Sequence, residues 1–270
     1  MRSTGRARAG RTVLGAALAV ALRALVERHP PGGRSRWVRT NHRGREVTLL
    51  PGPVAAVAAG LAAGSGAAAV LAGVGAGAVG AYDDAVGQRA AQRSSKGLRG
   101  HAAALRQGRV TSGAVKVAGI GGTGLLAAAA AGRRSGRSGV DLLLDGALVA
   151  GSANLLNLFD VRPGRALKTG LAVAVALDEP GPAAAAAVLL PADLAERHML
   201  GDAGANGLGA VLGLALSRRL EGRASRVAAL SAVVGLTAAS EAVSFSRVID
   251  AVPPLRALDR LGRLPADPVA

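Results

Sequence analysis

Three clusters of oxygen-bearing side chains interrupt an otherwise apolar sequence, and their types suit chemistry on phosphates. Asp83 and Asp84 are adjacent; Asn154, Asn157 and Asp160 recur at three-residue spacing; Asp202 sits within Met199-Leu200-Gly201-Asp202-Ala203-Gly204-Ala205-Asn206. Adjacent carboxylates repel and resist burial, so at a membrane boundary they need a cation, a basic partner or water. The plain alternative for Asp83 and Asp84 is a solvated helix end. Three-residue spacing keeps Asn154, Asn157 and Asp160 on one broad helix face, where amides in lipid need partners; interhelical hydrogen bonding is the alternative there. Taken together, Asp84, Asp160 and Asp202 are expected to ligate one Mg²⁺, which accepts a few carboxylates and keeps positions for water and substrate phosphates. Gly201 and Gly204 let a phosphate approach the backbone closely. Lys96, with Arg99, Arg106 and Arg109, forms a basic loop that can receive phosphate or anionic lipid, or simply marks topology.

The elements that position these residues have an unusual composition. The chain of 270 residues is 50% apolar and 1% aromatic, so Ala, Val, Leu and Gly carry its hydrophobicity. Small residues suit helices packed closely within lipid, whereas a water-soluble core draws on aromatics. A bias in base composition is a second source of the same skew. The 33 Lys and Arg are gathered into short tracts between long, nearly uncharged runs, the distribution of a membrane chain. The net charge of +16 does not point to nucleic acid, whose binders spread basic residues over folded faces and add stacking aromatics. Without cysteine there is no disulfide framework and no thiolate metal site.

Apolar runs extend over about 12–27, 50–65, 67–82, 114–131, 140–159, 169–178, 181–192, 204–217 and 227–240. They predict an all-α, polytopic membrane helix bundle of about nine transmembrane helices. Residues 1–270 form one membrane domain, with the bundle at 12–240 and a cytoplasmic amphipathic tail at 241–270. The 169–178 and 181–192 runs fall short of the ~20 residues that cross a hydrocarbon core and must borrow flanking residues or tilt. Gly64-Ser65-Gly66 and Asp178-Glu179-Pro180-Gly181-Pro182 read as tight turns. The first run follows Arg2, Arg6, Arg8 and Arg11, as in a signal peptide; no small-x-small cleavage site follows, so it is read as a retained span.

Alternation places all three polar clusters, and the larger share of Lys and Arg, on the side of the Arg34 to Arg45 tract. By the positive-inside rule that side is cytoplasmic, giving a multi-pass protein of the cell membrane with its active face inward. The N-terminal arginines fall on the opposite side, so either the tail is an exception or the first run is not a full crossing. Within 241–263, Val243, Phe245, Val248, Ile249, Val252 and Leu255 mix with Arg247, Arg256, Arg260 and Arg263. A surface-lying amphipathic helix fits that mixture, broken at Pro253-Pro254.

The ordered set of Asp83-Asp84 after one span, Asn154-x-x-Asn157-x-x-Asp160 after a later one, and Leu200-Gly201-Asp202-Ala203-Gly204 opening another resembles the polyprenyl-phosphate N-acetylhexosamine-1-phosphate transferase superfamily. This is glycosyltransferase family 4, which includes phospho-N-acetylmuramoyl-pentapeptide transferase. The resemblance runs from about Arg39 to Ile249 and includes Gly52 and Glu241-Ala-Val-Ser-Phe-Ser-Arg-Val-Ile. It implies Mg²⁺, a nucleotide-diphosphate sugar donor and a polyprenyl phosphate acceptor such as undecaprenyl phosphate, in cell-wall biogenesis. Asp83 and Asp84 would then be catalytic, beside the acceptor phosphate, with Asp83 as base or orienting group. Asn154, Asn157, Asp160 and Lys96 would bind substrate, and Asp202 the metal.

The pattern departs from the family at four points. Asp160 is followed by Val161-Arg162-Pro163-Gly164, without the second Asp associated with nucleobase recognition; Met199 stands where a stacking aromatic is expected; His29, His42, His101 and His198 are scattered, with no C-terminal cluster; and a tenth span is lacking. A non-catalytic relative that binds polyprenyl phosphate or envelope-synthesis partners is the main alternative. A transporter ranks third, since its carboxylates belong at the midplane.

Overall fold

The computed structural model describes residues 2–86, 111–132 and 137–265. Each of the nine apolar runs is a helix: α1 (Arg2–Arg28), α2 (Pro51–Ala62), α3 (Ala67–Val86), α4 (Ser112–Gly132), α5 (Gly139–Phe159), α6 (Arg165–Ala176), α7 (Pro180–Leu194), α8 (Gly201–Arg219) and α9 (Gly222–Ala242). Two short helices follow, α10 (Phe245–Ala251) and α11 (Pro253–Arg260). Between α1 and α2 lies an antiparallel hairpin of β1 (Val38–Thr40) and β2 (Glu46–Thr48), in register Val38 to Thr48.

Local chemistry sets the boundaries. Ser138 and Asp141 form a reciprocal capping box that opens α5. Pro180 opens α7 and Pro253 opens α11, where a missing N–H costs nothing. Gly201 starts α8 at φ 62°, a left-handed conformation that glycine adopts without a Cβ penalty.

The protein is built around α8. Residues from Ala203 to Ala215 are buried along its whole circumference, against α3 and α5 on two sides and α2 on a third. Backbones approach closely here: a Cβ on Gly80 of α3 would lie 2.2 Å from the Asp202 carbonyl, and one on Gly52 of α2 would lie 2.2 Å from the Leu200 carbonyl. α4 bridges α3 and α5, α9 packs on α5, and α1 covers α2 and α7. The outer faces are apolar instead of polar, with Val13, Val117, Leu126, Leu143 and Val234 exposed. Small residues inside and branched ones outside is the pattern of a bundle solvated by lipid.

Three helices, Thr4–Arg28, Ser112–Gly132 and Gly139–Phe159, are long and apolar enough to cross a membrane, and the bent pair Gly222–Ala242 with Phe245–Ala251 makes a fourth. That is fewer than nine. α2 and α6 have 12 residues each and α7 has 15; at ~1.5 Å per residue none reaches the ~30 Å of a hydrocarbon core.

Ion pairs mark the two ends of the bundle. At one end Arg8 of α1 pairs with Asp178 of the α6–α7 turn, and at the other Glu27 of α1 meets His198 at 3.1 Å. α1 therefore runs the depth of the bundle, and its N-terminal arginines lie at the end away from the polar clusters. Near that same far end, Asp145 of α5 is fully buried and is held by Arg137 and by Arg226 of α9, the latter at 3.0 Å.

Candidate functional site

The first turn of α8 gathers the acidic clusters. Its leading N–H groups have no intrahelical acceptors. Asp84, in the last turn of α3, takes two of them, with Oδ1 accepting from Asp202 N at 3.1 Å and Oδ2 from Ala203 N at 3.0 Å. Asp160, the residue that ends α5, accepts from the Gly201 backbone. Two carboxylates from different helices thus cap one helix start, where the helix dipole favours negative charge. Arg39 of β1 completes the frame by donating to the Asp84 carbonyl at 2.5 Å, one of the terminal acceptors of α3.

Asp202 itself points to Lys116, near the start of α4. The Lys116 ammonium bonds the Asp202 carboxylate and lies 3.5 Å from Asp83 Oδ2. Sequence reasoning did not single out Lys116; a lone ammonium at the third residue of the 114–131 apolar run was the available signal. Asp193, at the end of α7, was also missed: it is buried, accepts from Gly164 N at 2.5 Å and faces Asp160 across a polar cavity of about 120 Å³ shared with His42, Arg162, His198 and Met199.

The charges are crowded, and all lie beyond the apolar stretches of their helices. Burial pushes Asp160 well above the usual carboxylate range, and the charge of Asp193 adds to it. Burial and then the charge of Asp202 raise Asp84 to about 7. Asp202 is raised by burial against the opposing pull of Lys116. Asp83 moves the other way: its burial is outweighed by a hydrogen bond shared with Asp202 and by the charge of Lys116. Four buried polar groups find no hydrogen-bond partner among the described residues: Arg23 Nε, Asp160 Oδ2, His198 Nδ1 and the side-chain amide of Asn206, which lies one turn along α8 from Asp202.

The expected metal trio of Asp84, Asp160 and Asp202 is brought to one helix end but not arranged as a ligand set. Among the described residues no group of three or more His, Cys, Asp or Glu is poised to hold a metal. Both Asp84 oxygens are turned onto backbone amides, and Lys116 stands between Asp83 and Asp202. The donor chemistry still suits a hard cation: every contributor is an oxygen, Asp160 Oδ2 lacks a partner among the described residues, and the one Lys116 ammonium is shared between two carboxylates, Asp83 and Asp202. Asn154 and Asn157 lie half-buried on α5 without a side-chain hydrogen bond among the described residues. Lys96 and the basic loop lie outside the described residues.

An apolar groove of about 180 Å³ is lined by Leu155, Phe159, Val173, Leu212 and Val233. Phe159, which precedes Asp160, also stacks on Phe245 of α10, with ring centroids 4.9 Å apart.

No family model, no curated protein and no solved structure matches the chain.

Proposed function

We propose that the protein is a multi-pass protein of the cell membrane with nine crossings, and that its acidic face is cytoplasmic and transfers a sugar 1-phosphate from a nucleotide-diphosphate sugar to polyprenyl phosphate. The observation that carries this reading is the meeting of Asp84, Asp160 and Asp202, from three helices, at one helix start with Lys116 alongside. Oxygen ligands, a helix N-terminus and an ammonium in one place are the parts needed to bind phosphates and compensate their charge. The short helices α2, α6 and α7 reach the two faces through their flanking turns and local thinning of the bilayer.

In the proposed reaction an oxygen of the acceptor phosphate attacks the sugar-bearing phosphorus. The bond from that phosphorus to the bridging oxygen breaks, and nucleoside monophosphate leaves. Bound Mg²⁺ would neutralise the diphosphate as the phosphoryl group passes. Asp202 and Asp160, through its unpartnered Oδ2, are the residues that would hold it. Asp83 orients the acceptor phosphate. Lys116, now engaged with Asp83 and Asp202, turns its ammonium to the incoming phosphates. Asp84 is assigned a supporting role, because both of its oxygens fix the start of α8. Asn157 and Asp160 line the donor site, and the apolar groove lined by Phe159 suits the acceptor's hydrocarbon.

A second reading, a non-catalytic relative that binds polyprenyl phosphate, is favoured by the pairing of Lys116 with both Asp83 and Asp202, which occupies those carboxylates with a cation of the protein itself. Purified protein incubated with Mg²⁺, undecaprenyl phosphate and a panel of nucleotide-diphosphate sugars distinguishes the two. Release of nucleoside monophosphate supports the transferase, and acceptor binding without turnover supports the silent relative.

A further inference from the structure

α10 and α11 present their side chains in the reverse of the order expected at a water-soluble surface. Asp259 of α11 and Ser246 of α10 face the protein. Asp259 is buried, receiving Arg165 Nε at 2.7 Å, Arg165 Nη2 at 3.0 Å and Arg263 Nη2 at 2.6 Å. Arg165 Nη1 donates to Ser246 Oγ at 2.7 Å. Lys168 Nζ donates to the carbonyls of Leu258, Asp259 and Leu261 at 3.0, 2.9 and 2.6 Å, which are the unpaired acceptors that any helix leaves at its C-terminus. Arg263 Nε reaches Pro163 O at 2.8 Å and Arg43 Nη2 reaches Pro265 O at 2.7 Å. The tail is thereby fastened to the first turn of α6 and to the loop that follows Asp160.

The outward face is apolar and basic. Leu258 is 63% exposed and Leu261 67%, with Val252 and Leu255 beside them and exposed Arg247, Arg256 and Arg260 interleaved. Such a face is costly against water but matches the headgroup boundary of a bilayer, where leucines enter the acyl region and arginines meet lipid phosphates. The position agrees: α10 leaves α9 at 88°, so that if α9 crosses the membrane the tail lies in the membrane plane.

We propose that α10 and α11 form a strap seated in an anionic membrane surface, which holds the Asp160 loop through the Arg165–Asp259 pair. The inference rests on the membrane reading of the bundle but not on the transferase reaction. Its occupant is the lipid headgroup layer, chosen because the exposed charge is basic and the face is continuous with a candidate span.

The cysteine-free sequence allows a single probe to be placed cleanly. Leu258→Cys and, as a reference in the exposed face of α4, Leu126→Cys are labelled with an environment-sensitive fluorophore. Each protein is reconstituted in nanodiscs of phosphatidylcholine, alone or mixed with phosphatidylglycerol, carrying brominated acyl chains. The strap predicts quenching at both sites. At Leu258 it predicts deeper quenching with phosphatidylglycerol, a gain that Arg256→Gln with Arg260→Gln abolishes, since each arginine contributes about fivefold to partition at an anionic surface. Quenching at Leu126 without quenching at Leu258 overturns the strap while the bundle reading stands. Equal quenching at Leu258 in both lipids overturns the anionic preference. No quenching at Leu126 removes the membrane reading and the strap with it.

Discussion

Asp160 joins nearly complete burial to an oxygen that finds no partner among the described residues, and a carboxylate in that state takes up a proton. Its folded value lies above its unfolded one, so the folded chain binds the extra proton. The stabilising contribution is full below the ordinary carboxylate value of ~4 and is lost as pH rises toward the raised value. Asp160→Asn keeps the size and removes this dependence. In thermal unfolding it is expected to gain about 1–3 kcal/mol over wild type at neutral pH, with the gap closing toward pH 4; a gap that stays constant with pH would show that Asp160 is ionised and paired. The same proton opposes a cation, so Mg²⁺ affinity measured by calorimetry should rise with pH across this range. Recognition of the base is a separate matter at this scale. Without a second Asp after Asp160, a missing base-edge partner is expected to leave little penalty on rival nucleotides, and a donor panel should show weak preference for uracil.

At the scale of elements, the start of α8 depends on groups from its neighbours. Asp84→Ala frees two backbone N–H groups and is expected to cost about 1–2 kcal/mol, read as a lower unfolding temperature with the fold retained. Gly80→Ala sets a methyl against the Asp202 carbonyl, 2.2 Å from the ideal Cβ position. Displacing the helix start should cost about 1–3 kcal/mol and disturb the site more than the same change at Gly235, which meets open space. Helix positions were legible because nine apolar runs were separated by charge tracts, Gly-Ser-Gly and proline pairs. Helix lengths were less so: α3 continues through Asp83 and Asp84 to Val86, because those carboxylates find cation and amide partners that no local pattern announces. The partnership of Lys116 with Asp202 spans 86 positions of sequence and depends on packing between small residues, which carries no motif.

Over the whole molecule, the structure sorts the chain into two ends. Arg34 and Arg162 belong with the acidic face, and Arg219 and Asp178 with the other, so single cysteines at Arg34 and Arg162 should react with an impermeant reagent only from the cytoplasm and one at Arg219 only from outside. Labelling of Arg34 and Arg162 from opposite sides would break the alternation. The convergence of three acidic clusters was readable from their order and side, since each closes or opens a run on the same face. Their roles were not, because whether a carboxylate ligates a cation or caps a helix is decided by distances of an ångström or two. The C-terminal tail shows the same limit: mixed Leu and Arg announced an amphipathic helix, while the burial of Asp259 by Arg165, 94 positions away, set which side faces out.

The central claim is that the acidic face performs phosphoryl transfer, and release of labelled nucleoside monophosphate tests it most directly. Wild type, Asp202→Asn and Asp178→Asn are run in parallel in bilayers with Mg²⁺, undecaprenyl phosphate and a donor panel. The predicted result is release by wild type, release within about twofold of it by Asp178→Asn, whose partner Arg8 lies at the far end, and a loss of at least about 10²-fold in Asp202→Asn, as for removal of a group that compensates transition-state charge. Unchanged release by Asp202→Asn, or no release by wild type with any donor, would contradict it.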